Sequence, residues 1–198
     1  MKMNKTVGMT VTAILVAFML VMNFTPLGYI VSPAGFSITL MIIPVAVGAA
    51  VLGPSCGTLL GFVFGLTSFL QCFGIGYFID PSAALLFNTS PVGTVITCFV
   101  PRMLMGLLVG LIFRALSRFE RFRIGSFAVA SFSAPVLNTL LFITSYIIFF
   151  RNTILAGTAI KTVIISILSI NGLIEIIVSM VLGTALCQAF YMAVKKIH

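Results

Sequence analysis

Arg102 and Glu175 are the two ionisable residues that fall deep inside long apolar runs of this sequence. Insertion scales put an arginine at a membrane-helix centre about 2.5–3.5 kcal/mol uphill, so such a residue faces protein or a wet cavity. Arg102 sits in FVPRMLMG, Phe99 to Gly106, directly after Pro101. The proline lacks the amide that would bond the carbonyl four residues back, on Thr97, which leaves an acceptor beside the cation. Asn171 precedes Glu175 by four residues and shares its helix face. Asn138, with Thr139, falls near the middle of a further run. Arg102, Asn138, Asn171 and Glu175 therefore predict a polar belt drawn from three helices. It reads either as a hydrogen-bond network that holds a bundle together or as a ligand site, and the proline favours the wet site. Arg102 itself has two open partners, Glu175 or a ligand anion.

Other chemistry is poorly supplied. The single histidine is His198, which removes histidine-based metal and triad chemistry. Asp80, Glu120 and Glu175 lie in different regions and make no carboxylate dyad by proximity. No GxxxxGK[ST] loop is present for nucleotide phosphates. Cys56, Cys72, Cys98 and Cys187 have no CxxC spacing and read as buried thiols. Neither a cofactor nor a metal is expected, and a membrane enzyme is disfavoured. A carrier that moves protons through Glu175 remains an alternative.

The elements that must position these groups follow from composition. The 198 residues are 61% hydrophobic and 7% charged, with a mean hydropathy of +1.27. A soluble domain of this size cannot bury so much apolar surface. The long continuous runs predict an all-α integral membrane protein, because a barrel would alternate. Six spans are expected in one compact domain over residues 1–198, at about 7–24, 38–52, 57–71, 91–116, 126–150 and 162–193. Pro44 is expected to interrupt the short second span. No cleavable leader is expected, since the run after Lys2 and Lys5 continues to Phe24 without a small-residue cleavage site.

Charge sets the orientation. Lys2, Lys5, Arg114, Arg118, Arg121, Arg123, Lys195 and Lys196 fall on one side, against Arg151 and Lys161 on the other. This asymmetry places both termini in the cytoplasm. The net charge of +8 is accordingly read as orientation and anionic lipid contact rather than as nucleic-acid binding. Small residues recur every four positions at Gly53, Gly57, Gly61 and Gly65, at Gly106 and Gly110, and at Ala13 and Ala17. Such faces allow close helix approach, either within the bundle or against a separate membrane partner.

The stretch TPLGYIVSPAGFSITLMIIPVAVGAAVLGPSCGTLLGFVFGLTSF, with PRMLMGLLVG, APVLNTLLF and NGLIEIIVS after it, resembles the substrate-binding S components of energy-coupling factor (ECF) vitamin transporters. The resemblance implies a vitamin pocket open to the outside and covered by the loop after the first helix. It implies docking, through Ala13 and Ala17, onto a transmembrane T component carried on two cytoplasmic ATPases in the bacterial plasma membrane. The pocket would use Leu27, Tyr29 and Phe36 from that loop together with Arg102, Asn138, Asn171 and Glu175. The region GYIVSP to VLGP looks most like the pantothenate-type branch, in which Arg102 would clamp a carboxylate. Riboflavin, folate, pyridoxine and hydroxymethylpyrimidine stay open as ligands.

Overall fold

The computed structural model describes residues 5–31, 37–77, 87–118, 123–155 and 170–196. These form α1 (Lys5–Asn23), strands β1 (Tyr29–Val31) and β2 (Ser37–Thr39), α2 (Ile42–Leu52), α3 (Pro54–Gln71), α4 (Pro91–Leu116), α5 (Arg123–Leu155) and α6 (Ile170–Lys196). Among the described residues, four stretches are long and apolar enough to cross a membrane: Lys5–Asn23, Pro91–Leu116, Gly125–Phe150 and Gly172–Met192. At Phe150 the α5 backbone leaves helical geometry (φ −118°, ψ 20°), and the apolar span ends at that kink.

Two expectations change around the second span. Residues 37–39 do not begin a helix; they pair antiparallel with residues 29–31, Tyr29 opposite Thr39. The amide of Leu40 bonds the Gly28 carbonyl at 3.1 Å and closes the base of this hairpin. Nor does Pro44 interrupt α2. It occupies the first turn, where a backbone amide has no intrahelical partner to lose.

The helix α2 is apolar on every side and is buried from Ile42 through Ala50, as expected of a helix at the centre of a bundle. It packs with Leu15 and Met19 of α1, Leu60 and Phe64 of α3, and Met105 and Val109 of α4 in one core. A second cluster joins Ile43 and Val47 to Phe127 and Cys187. Large apolar residues such as Phe18, Val92, Ile148 and Ile177 remain exposed on the long helices, the distribution that a lipid solvent permits.

Local signals start the helices. Gly53, at φ 102°, turns the chain between α2 and α3 in a conformation that a side chain would resist, and Pro54 opens α3. Ser90 caps α4 by accepting the Gly93 amide at 3.3 Å, with Pro91 next. The predicted glycine face then brings α3 and α4 together. A methyl on Gly57 would strike the Gly106 carbonyl, one on Gly61 the Arg102 carbonyl, and one on Gly65 would come within 2.8 Å of the Cys98 carbonyl oxygen. The two helices thus meet backbone to backbone, which fixes where the Arg102 side chain starts.

Candidate functional site

Arg102 lies three turns into α4 and is half-buried. Its Nη1 donates to the carbonyl of Thr97 at 3.1 Å and to that of Cys98 at 2.9 Å. The first of these is the acceptor freed by Pro101, so the side chain satisfies the defect made by its own neighbour. The guanidinium carbon stands 4.9 Å from the ring centroid of Phe64 on α3 and 5.5 Å from that of Phe142 on α5. Both contacts are cation–π interactions, which gain strength when water is excluded. Among the described residues the buried Nε has no hydrogen-bond partner.

Tyr29 of β1 is 5% exposed and reaches into the same region. Its side chain lies beside Ser68, Gln71 and Thr67 on α3, and Arg102 lies close enough to act on it electrostatically. Burial nevertheless dominates and pushes the phenol above its ordinary pKa of 10.0. Gln71 continues the chain of contacts by donating from Nε2 to Asn23 Oδ1 at 3.5 Å. The carbonyl of Asn23 in turn accepts the Tyr77 amide at 2.9 Å. A polar seam therefore runs from Arg102 past Tyr29 to the end of α1.

Of the other predicted pocket residues, Asn138 on α5 is half-buried, and its buried Oδ1 has no hydrogen-bond partner among the described residues. Glu175 on α6 is also half-buried and accepts from the backbone of Thr39 in β2. Among the described residues no ion pair joins Glu175 to Arg102: the carboxylate meets the hairpin, while the cation meets α3, α5 and its own helix. Leu27 is 60% exposed in the turn before β1. Asn171 lies in the first turn of α6, its side chain outside the described residues, and Phe36 lies outside them altogether.

Sequence reasoning missed Asn23, Thr67, Ser68 and Gln71, all buried. Gln71 and Asn23 each close an apolar helix, a position that reads equally well as a solvated end. Asn23 is covered in part by the segment after α3, where Gly76 lies against its side chain and the Tyr77 amide bonds its carbonyl. Among the described residues, no cluster of three or more metal-ligating side chains exists.

At another part of the bundle, Ala13 and Ala17 are exposed on α1. They line an open groove of about 1000 Å³ with Thr12, Val16, Cys56 and Leu59, between α1 and the start of α3. The Thr12 hydroxyl and the Cys56 thiol touch at 3.4 Å across its floor.

Residues 8–186 match the model of the family described as ECF transporter, substrate-specific component. The chain is 30% identical over 196 residues to the pantothenic acid transporter PanT of Lactococcus lactis subsp. cremoris, covering 96% of each protein. It is 28% identical over 197 residues to the pantothenate transporter PanT of Leuconostoc mesenteroides subsp. mesenteroides, covering 94% of this chain and 93% of that protein. With its four apolar spans, this is a transport subunit of the bacterial cell membrane, and the chain belongs to the family of ECF transporter substrate-specific components.

Proposed function

We propose that the chain captures pantothenate outside the cell and delivers it inward in complex with a transmembrane T component and two cytoplasmic ATPases. Arg102 takes the carboxylate, and Tyr29, Asn138, Asn171 and Glu175 serve the amide and hydroxyl groups beneath the hairpin. The observation that carries the substrate is the set of two relatives named for pantothenate, each aligned over more than nine-tenths of this chain. A cation with no carboxylate partner among the described residues suits that substrate, because a charge-assisted bond to an anion is stronger than a neutral one.

The bundle crosses the membrane six times with both termini in the cytoplasm. The excess of Lys and Arg at the termini and in the connector after α4 supports this orientation. The T component docks in the groove beside Ala13 and Ala17, whose methyl side chains admit a second helix at close range. Hydrolysis of ATP belongs to the partners.

Titration of the purified full chain with pantothenate, riboflavin, folate, pyridoxine and hydroxymethylpyrimidine tests the substrate. Binding of pantothenate alone is expected. Tight binding of another member of the set, or of none, overturns the assignment. Uptake by cells should require the T component and both ATPases; undiminished uptake without them would sink the partner reading.

A further inference from the structure

The hydrogen bonds at Arg102 use only one corner of the guanidinium. Nη1 is committed to the carbonyls of Thr97 and Cys98. Phe64 and Phe142 lie against the guanidinium from α3 and α5. What remains is the edge formed by Nε and Nη2, for which the described residues supply no hydrogen bond, and Nε is a buried donor without an acceptor. Two parallel N–H groups on one edge match the two oxygens of a carboxylate. A buried donor left unmade is costly, so an acceptor there is favoured beyond its own bond.

The fixed orientation traces to Pro101. In an uninterrupted helix the amide of residue 101 would occupy the Thr97 carbonyl. Pro101 has no such amide, and the carbonyl turns to the arginine instead. We propose that Pro101 is a positioning residue, which anchors Nη1 on the Thr97 carbonyl and so presents the Nε–Nη2 edge to the substrate's carboxylate. This rests on the reading of Arg102 as the carboxylate's partner. It adds that the residue before it sets the geometry, with Phe64 and Phe142 holding the plane. Pro101 does not touch the ligand. Its contribution is that the arginine is oriented before the ligand arrives, which lowers the ordering needed on binding.

The test uses the full chain in detergent and two ligands, pantothenate and pantothenol, the alcohol that lacks the carboxylate. Calorimetric titration gives the ratio of their affinities. Wild type should prefer pantothenate, and Arg102→Ala should abolish the preference. Pro101→Ala restores an amide to compete for the Thr97 carbonyl. It should cut the preference by about tenfold while leaving pantothenol binding near wild type, the scale of one weakened charge-assisted bond. An unchanged ratio in Pro101→Ala overturns the positioning role and leaves the Arg102 assignment standing. An equal loss of both ligands overturns it too, since that is the mark of a general structural effect. A wild type without preference overturns the Arg102 assignment and the inference with it. Should Pro101→Ala fail to fold, Phe142→Leu frees the guanidinium plane from the other side. The same selective loss is expected there, and its absence overturns the proposal.

Discussion

Gly57 on α3 and Gly106 on α4 are in backbone contact, so that a methyl group on either would run into the carbonyl of the other. Neither position has a flexible neighbour that can move aside. Gly106→Leu should therefore force the helices apart and lower the melting temperature, with a destabilisation of about 1–3 kcal/mol or more. Thermal unfolding of the purified variant in detergent measures it. A wild-type midpoint would show that the contact is slack.

Arg102→Ala should weaken pantothenate binding by about ten- to a hundredfold with the fold retained, as loss of a charge-assisted bond predicts. Because the described residues place no ion pair between Arg102 and Glu175, the double replacement with Glu175→Gln should be additive. Rescue of stability or affinity in the double variant would reveal a coupling that the structure does not contain.

How far the sequence reached differs between these two features. The glycine spacing announced a close helix contact, and the contact is there between α3 and α4, because four-residue periodicity alone fixes one face. Arg102 was legible as an anomaly, but its partners were not: Phe64 and Phe142 are two of nineteen phenylalanines, and only folding selects them. Tyr29 was singled out, whereas Asn23, Ser68 and Gln71 were overlooked, since a polar helix end becomes a buried one only when distant segments fold over it. The hairpin itself was hidden by Ile38 and Leu40, which extend the apolar run of α2 without any break in composition.

Glu175 touches the hairpin through the backbone of Thr39 rather than a side chain. Glu175→Ala should loosen this contact and raise the rate of ligand dissociation more than it lowers the rate of association. Stopped-flow displacement of bound pantothenate distinguishes the two. A dissociation rate unchanged from wild type would remove Glu175 from any role in retaining the ligand.

Ala13 and Ala17 are exposed, line the groove and contribute no contact to the Arg102 region. Ala13→Leu and Ala17→Leu should abolish uptake in cells while leaving pantothenate affinity of the isolated chain within about twofold, because surface changes far from a site are nearly neutral to it. Normal uptake by both variants would place the partner on another face.

The seam between α3 and α4 has a mechanical meaning. Side chains that interlock can change rotamer and let two helices slide, but Gly57, Gly61, Gly106 and Gly110 offer no rotamers to change. The close fit joins the two helices into one beam, with Arg102 along its length and Pro54, beside the groove lined by Ala13 and Ala17, at one end. A tilt imposed on the beam at the groove would therefore carry Arg102 through the same angle, without any contact at the arginine itself.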